Sequence, residues 1–498
     1  MLKKIKQIFK KFPFEKLLLF FLLIFALVLR IYRIDSLLGF YYDQGRDALV
    51  IWDLIHKGKF FLIGPTTGIA GVFRGPYYYY LIAPFYLLGR GDPVYPSVFL
   101  SCLTVLSFYI LYLLVKKAGG RASALISVFL ASFSYYLVIS SRWLSNPTPM
   151  FLLSTLLILG MFRVLENKRF GWEIIAIVSG LSLFNFGSSG ELFYFLSILI
   201  FIIWQWKNRP SLKRLIGIIF LFFLTFAPLL IFDLRHEAIL RNNIFNSFVS
   251  EKSFTLSTRY LFEQRTQFYY EVFSKILFHS RGKVEMILML ILLGLFISFL
   301  KGFFKNKYIK TVLLVLIAPL IGLYFYQGNN AILYDYYMTG YYLVFIFIVS
   351  LVLGKIWKNF FGRIFVLGFL LVFLINNFEV IKFKLSDQIV GEGSIALKNE
   401  LQVVDWVFRD SNGQNFNVDT YVPPVIPYAY DYLFTWQSDK RGLGNLTQDS
   451  VDLLYTIYEN DTQHPIQLNA WIKRQEGIGK VLEQEKFGGI TVERRTRI

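Results

Sequence analysis

The chain has 498 residues, of which 55% are hydrophobic and only 17% charged, against about a quarter charged in an ordinary soluble protein. That composition, with a mean hydropathy of +0.51, excludes a disordered chain and argues against a cytosolic enzyme, leaving a polytopic membrane protein with some water-exposed mass. Lys and Arg outnumber Asp and Glu by 52 to 33; cytoplasmic loops of membrane proteins collect such an excess, so no nucleic-acid partner is needed to explain it.

The N-terminus is basic, with Lys3, Lys4, Lys6, Lys10, Lys11 and Lys16 before an apolar run over 17–29. No small-residue cleavage site follows, and Arg30 and Arg33 come directly after, so the run reads as an uncleaved first helix with its N-terminus inside. Further apolar runs cover 95–115, 122–139, 150–165, 172–186, 192–206, 215–232, 284–300, 309–326, 336–353 and 364–378. With their flanks each approaches the roughly 20 residues that cross hydrocarbon. The runs 172–186 and 192–206 are short and suggest a tight pair.

Residues 77–88 are apolar but too short to span. Placing them on the outer surface as an interfacial helix puts Lys116, Lys117 and Arg121, then Arg163, Lys168 and Arg169, then Lys207, Arg209, Lys213 and Arg214 inside. Lys301, Lys305, Lys307 and Lys310 follow on the same side, as do Lys355, Lys358 and Arg363. Letting 77–88 span would turn every one of these loops outward. The expected topology is about eleven transmembrane helices, with the N-terminus cytoplasmic and the C-terminus extracytoplasmic. Residues 1–378 then form the membrane domain, with outer loops 34–93 and 233–283, and 379–498 form an extracytoplasmic domain.

That tail is polar and mixed in charge. Ser394 is placed to cap a helix whose apolar positions include Ile395, Leu401, Val404 and Phe408. Asn412-Gly413 makes a turn, 416–422 reads as a strand, and 490–492 as another. A small α/β domain follows. The single Cys102 means that it folds without an intrachain disulfide. No internal repeat is visible.

The first outer loop holds the most chemistry. Asp43, just beyond the first span, is followed by Gln44, Gly45, Arg46 and Asp47 on a helix that should end near Gly58; Asp53 lies further along it. Arg74-Gly75-Pro76-Tyr77 opens the interfacial helix. A carboxylate at the membrane surface can take the proton from an acceptor hydroxyl attacking an anomeric carbon. A phosphate leaving group would depart without a general acid, and Arg would grip it in two places. Taken alone, Asp43 reads more simply as a solvated cap of the next helix, and Tyr77 to Tyr80 as interface anchors. The second outer loop, with Arg235, Arg241, Arg259, Arg265, Arg281 and Lys283 among aromatics, suits either a lipid phosphate or an anionic bilayer. Glu191 opens a hairpin between two short spans, where it either faces a cavity or caps the helix after it. His56, His236, His279 and His464 are scattered, with no zinc spacing.

Taken together, the first span, the aromatic-Asp start of a long outer loop, the Gly-Pro-aromatic surface helix and two spans flanking Gly119-Gly120-Arg121 resemble the GT-C membrane glycosyltransferases. The resemblance is greatest to the protein O-mannosyltransferase-like branch that includes the lipid A aminoarabinose transferase. It is best over about 17–165. It implies a helical membrane domain, a polyprenyl-phosphate sugar donor, and Asp43 as general base with inversion. The family's Asp-Glu pair matches Asp43-Gln44, its Lys/His-Pro-Pro-Leu matches Arg74-Gly75-Pro76-Tyr77, and its Arg-x-x-x-Asp matches Arg142 to Asn146. A late aromatic motif matches loosely at Tyr334-Asp335-Tyr336-Tyr337. Gln44 and Asn146 each stand where the family has an acid, which weakens any metal-dependent reading; no divalent metal is required by the sequence.

The expected function is transfer of a hexose or pentose from a polyprenyl-phosphate donor to a lipid, glycan or protein acceptor at the outer face of the plasma membrane. Asp43 is the catalytic candidate. Gln44, Arg46, Asp47, Arg74, Tyr77, Arg142, Asn146, Glu191, Arg265 and Asp335 are the substrate-binding candidates. The rival is a non-catalytic polytopic protein, a transporter or lipid-linked sugar flippase. That class tends to carry mid-membrane charges and inverted repeats, whereas the acidic residues here gather at the outer face. A third reading keeps the fold as a binding protein without catalysis.

Overall fold

The computed structural model describes residues 14–246, 258–280, 282–326, 332–386, 391, 393–423 and 426–498. The lysines of the N-terminal run before Lys16, and Arg281, lie outside them.

All eleven apolar runs are helical. The first is α1 (Phe14–Ile31), and a short α2 (Ile34–Leu37) follows it. The outer loop then holds α3 (Tyr42–Lys57) and α4 (Tyr77–Leu88). Gly58, with φ 61°, ends α3 where the sequence placed its stop. Helix α4 has twelve residues with Pro84 inside it, about 18 Å of helix and too short to cross.

Helix α5 (Val94–Gly119) is long enough to span alone. The next span is broken: α6 (Arg121–Phe133) and α7 (Tyr135–Arg142) meet at 62°. A break inside an apolar bundle leaves backbone groups that only protein can satisfy. Here Ser134 Oγ accepts the Leu137 N–H at 3.4 Å and Asn377 Oδ1 accepts the Tyr135 N–H at 2.8 Å. Arg30 Nη2 donates to the Ala131 carbonyl at 3.0 Å.

Then come α8 (Met150–Leu165), α9 (Gly171–Leu181) with a π-helical extension (Ser182–Phe186), and a 3-10 turn (Gly190–Phe193) leading into α10 (Tyr194–Trp204). These form the short pair. Helices α11 (Leu212–Leu224) and α12 (Ala227–Arg235) are a second span bent by 60°. Next come α13 (Ile239–Phe245) and α14 (Thr258–Leu277), and α14 packs on the bundle through Val272 and Ile276. The last spans are α15 (Lys283–Lys305), α16 (Lys307–Phe325), α17 (Tyr342–Ile356), entered through a 3-10 segment (Asp335–Tyr341), and α18 (Phe360–Ser386). Among the described residues five helices are long and apolar enough to span alone, or up to seven spans with each bent pair counted as one. The first span and the helices at 150–165, 171–186 and 190–204 fall short of that measure.

The basic loops meet at one end of the bundle. Lys116 and Arg121 pair with Glu15, Lys117 and Lys168 pair with Glu166, and Tyr308 Oη donates to Glu166 at 2.8 Å. Lys307 Nζ donates to the Leu165 carbonyl and Trp172 Nε1 to that of Asn208, both at 2.9 Å. Lys355 lies over the Phe299 ring. This is the gathering that a non-spanning α4 requires.

At the other end sits the C-terminal domain. It holds α19 (Leu397–Asp410), β1 (Asn417–Tyr421), α20 (Tyr428–Arg441), β2 (Leu453–Glu459), α21 (Pro465–Glu476), β3 (Gly479–Phe487) and β4 (Ile490–Arg497), with sheet order β1-β2-β4-β3. Strands β1 and β2 are parallel, the other pairs antiparallel. The Asn412-Gly413 turn is present, both residues having positive φ. Ser394 does not cap α19. Ala396 occupies the N-cap without a side-chain bond, and Ser394 uses its carbonyl to accept the Gly489 N–H at 2.9 Å, tying the domain's entry to its last hairpin. Helix α18 continues past 378 to Ser386, where Arg33 Nη1 caps it at the Leu385 and Ser386 carbonyls, 3.1 and 2.7 Å away.

Candidate active site

The site lies where α3, the 58–76 loop, the 143–146 loop and the 335–341 segment meet, on the C-terminal-domain end of the bundle. The start of α3 aims Asp43 outward from it. Tyr41 is the N-cap, and Gln44 closes a capping box by accepting the Tyr41 N–H on Oε1 at 3.1 Å. The other end of the Gln44 amide donates to the Leu144 carbonyl at 3.0 Å. Gln44 is buried, and both ends of its amide are engaged in joining α3 to the 143–146 loop. A Glu at this position could not donate that second bond.

Asp43 is 55% exposed at its side chain, and Arg46 Nη1 stands 2.9 Å from Oδ1. The same guanidinium reaches Asp47 Oδ1 from Nη2 at 2.8 Å and Thr66 Oγ1 from Nη1 at 3.1 Å. Asp47 is buried and also accepts from Tyr79 Oη at 3.1 Å. Burial pushes the Asp47 carboxyl up to about 6, against the pull of Arg46. Burial opposes the charge on Arg46, but Asp47 and Asp43 hold it above its ordinary range.

The 58–76 loop presents Arg74. Its backbone is pinned on both sides: the Arg74 N–H donates to Pro65 at 2.9 Å, and the Arg74 carbonyl accepts from Gly64 at 2.7 Å. Gly75 donates to the Phe184 carbonyl at 2.7 Å, and a Cβ there would lie 2.0 Å from Asn185 Oδ1. The Arg74 side chain is half-buried, and among the described residues its guanidinium has no hydrogen bond or ion pair. Burial lowers its pKa, with Glu191, Tyr336, Tyr337 and Tyr326 within electrostatic reach opposing that shift.

Tyr336 lies within electrostatic reach of both Asp43 and Arg74. Trp143 meets its ring edge-on at 5.8 Å, and Tyr334 stacks on it at 5.5 Å. Beside it, Asp335 pairs with Lys275 of α14 at 3.6 Å. Sequence reasoning missed Tyr336, Trp143, Tyr79 and Lys275 as site residues. The density of tyrosine around Asp335 was the available signal.

The other candidates have different surroundings. Glu191 is buried within electrostatic reach of Arg74, and its carboxylate accepts from the Ser188 N–H at 2.6 Å and the Gly340 N–H at 2.8 Å, fastening the hairpin to the 335–341 segment. Asn146 Nδ2 lies 3.4 Å from the Phe186 carbonyl. Tyr77 Oη donates to the Leu224 carbonyl at 2.8 Å, closing the bend between α11 and α12. Arg142 donates to the carbonyls of Leu29, Arg30 and Tyr32 at the end of α1. Arg265 donates to those of Leu323 and Tyr326 at the end of α16. Of these two substrate-binding candidates, Arg265 has its fork taken up by a helix C-terminus, whereas Arg142 spends only Nη1 on the end of α1 and its buried Nη2 has no hydrogen bond among the described residues. Among the described residues no group of three or more His, Cys, Asp or Glu is placed to hold a metal ion.

An apolar cavity of about 340 Å³ opens between α9, α10 and α11, walled by Trp172, Ile198, Leu215 and Phe222. Phe222 packs on Phe184, whose carbonyl holds Gly75 beside Arg74.

Residues 74–232 match the model of the dolichyl-phosphate-mannose-protein mannosyltransferase family. No curated protein matches the chain. Among solved structures it is similar to ArnT from Cupriavidus metallidurans in the apo state, with TM-score 0.61, 8% identity, and coverage of 95% of this chain and 97% of that one. ArnT bound to undecaprenyl phosphate gives TM-score 0.58 and 9% identity at the same coverage. The Archaeoglobus fulgidus oligosaccharyltransferase in complex with Zn and sulfate gives 0.52 and 13%, covering 89% and 68%. This chain has the GT-C fold of membrane glycosyltransferases, and its residues 74–232 carry the pattern of the mannosyltransferase family.

Proposed function

We propose that the protein transfers a sugar from a polyprenyl-phosphate donor to an acceptor hydroxyl, with Asp43 as general base. The observation that carries this reading is that Tyr336 lies within electrostatic reach of both an exposed carboxylate, Asp43, and a guanidinium, Arg74, that has no hydrogen bond or ion pair among the described residues. The acceptor oxygen attacks the anomeric carbon as its proton passes to Asp43. The bond from that carbon to the phosphate oxygen breaks, and polyprenyl phosphate leaves with the electron pair. Attack opposite the leaving group inverts the anomeric centre. Arg74 holds the phosphate as its charge grows, and needs no rearrangement to do so.

Arg46 orients Asp43 rather than binding donor, since its fork is already divided between Asp43, Asp47 and Thr66. The lipid chain runs from Arg74 past Phe184 and Phe222 into the apolar cavity. The basic loops lie on the cytoplasmic side of the plasma membrane, and the site and C-terminal domain face outward. That undecaprenyl phosphate binds ArnT supports the donor class.

Release of polyprenyl phosphate tests the reading. The purified protein is given a panel of polyprenyl-phosphate sugars with membrane extract as acceptor source, beside Asp43→Asn. Release that depends on one donor and disappears in the variant supports transfer. Equal release from both proteins removes Asp43 from the mechanism.

A further inference from the structure

A second cavity, of about 270 Å³, lies among the outer half of α3, the end of α4 with the turn after it, and α20 of the C-terminal domain. Trp52, His56, Tyr86, Arg90, Tyr432 and Asp439 give it its chemistry. It is separate from the site around Asp43. Trp52 lies nine residues further along α3, about 14 Å away at the helical rise, and at 100° per residue it stands on the opposite face.

Its walls are fixed in advance. Arg90 has φ 49° and Gly91 φ 91°, the first a strained conformation for a residue with a side chain. Two aromatic residues of α20 hold the turn in that state: Trp436 Nε1 donates to the Arg90 carbonyl at 2.8 Å, and Tyr432 Oη donates to the Gly91 carbonyl. A Cβ on Gly91 would lie 2.4 Å from the Trp436 ring, so only glycine admits this packing. The Trp52 and His56 rings stack at 3.7 Å, and Tyr432 meets Trp52 edge-on at 6.1 Å. His56 Nδ1 is 3.1 Å from the Trp52 carbonyl, which makes that nitrogen the donor.

The remaining polar groups are unengaged. Among the described residues the Arg90 guanidinium, the Asp439 carboxylate and the Tyr86 hydroxyl have no hydrogen bond or ion pair. One strong donor, one strong acceptor and two groups of intermediate character thus face a small space walled by aromatic rings. A purely anionic ligand would meet Asp439, and a purely cationic one would meet Arg90. A ring bearing several hydroxyls satisfies both, while its C–H faces pack on the aromatics.

We propose that this cavity is a saccharide-binding site, taking one sugar ring against the aromatic wall that Trp52, His56 and Tyr432 form together, with its hydroxyls shared by Asp439 and Arg90. The ring comes either from a soluble glycan or from a glycolipid headgroup; the exposed Leu87 and Leu88 beside the cavity would face the lipid of the latter. The site stands apart from the transfer reaction and does not depend on it.

The test uses the full chain in nanodiscs, free of maltoside detergent. Saturation-transfer NMR with a panel of neutral mono- and disaccharides reads the soluble source, and nanodiscs doped with a neutral glycolipid read the other. Contact from at least one source is expected, with the signal at least ten-fold weaker in Trp52→Ala and in Asp439→Asn and unchanged in Asp43→Asn. Asp439 is exposed, so its variant keeps the fold. A signal from neither source, or one that survives both cavity variants, overturns the proposal. So does a signal lost in Asp43→Asn and kept in Asp439→Asn, which would place the sugar in the other site. Because Asp43→Asn is the variant that stops donor turnover, failure of the transfer reading leaves this readout intact.

Discussion

Arg46 stands 2.9 Å from Asp43 and 2.8 Å from Asp47, so one guanidinium serves an exposed and a buried carboxylate at once. Asp47 and Tyr79 hold Arg46 from behind, and this fixes how much of its charge falls on Asp43. Dividing Arg46 between two carboxylates keeps Asp43 aimed.

A pH dependence follows. Asp47 titrates near 6. Above that it is ionised and anchors Arg46; below it that anchor is lost, and Arg46 no longer holds Asp43 in its aim. The rate of donor turnover is expected to fall as pH drops through about 6. Asp47→Asn should move the enzyme to the low-pH rate throughout and flatten that limb. A limb unchanged in the variant would separate Asp47 from the base.

Substituting Asp43 itself should cost on the order of 10²–10⁴ in turnover, the usual contribution of a positioned base. Arg74→Ala should act on binding, raising KM for the donor, with Arg74→Lys restoring part of it. Steady-state kinetics on one donor checks both. A drop in turnover for Arg74→Ala without a change in KM would reassign it.

The arginines differ in kind. Arg142→Ala leaves three carbonyls at the end of α1 without their donor, and should destabilise the protein by about 2–4 kcal/mol. Arg74→Ala removes no internal bond and should leave the melting temperature within a degree or two. Thermal unfolding of the two variants side by side decides between these assignments.

The C-terminal domain should be more stable in acid. Glu459, 7% exposed, is pushed by burial up to about 7, and its neighbour Glu400, fully buried with both oxygens unpaired, is pushed well above its ordinary value by burial and by Glu459. A carboxyl raised in the fold binds its proton more tightly folded than unfolded. Its contribution is fully present below about 4.5 and is lost as pH rises toward 7. For Glu459 alone that is about 3 kcal/mol. Hydrogen exchange in β2 should therefore quicken from pH 5 to pH 8 beyond its intrinsic rise, and Glu459→Gln should remove the difference.

Gly45 sets the contact between the domain and the site. A Cβ there would fall 2.3 Å from the Ala429 nitrogen, which is backbone and cannot yield. Gly45→Ala should prise α20 from α3 and, through Asp43 two residues away, lower turnover at least ten-fold. Proteolysis within the domain should rise in parallel; unchanged cleavage would show that the contact is dispensable.

The membrane plan was legible in the chain itself. Hydrocarbon demands long apolar runs, and orientation demands basic loops, so the runs between 17 and 378, with the lysines and arginines between them, already implied which ends share a side. Residues 77–88 could be set aside as non-spanning because their length and the sign of every later loop agreed. Local signals at Gly58 and Asn412-Gly413 held for the same reason: a left-handed φ is a property of one residue. The strands around β3 were not legible, since Gly479–Phe487 is charged and exposed along most of its length and carries no apolar alternation.

Only the tertiary structure decided what each arginine does. Arg74, Arg142 and Arg265 are chemically alike, and nothing in their neighbours along the chain tells a guanidinium left open to a ligand from one spent on a helix end. That difference depends on which carbonyls the folded bundle brings within 3 Å. The placement of Tyr336 within electrostatic reach of Asp43, and of Ala429 against Gly45, is of the same kind: relations between residues hundreds of positions apart, set by packing rather than by sequence spacing.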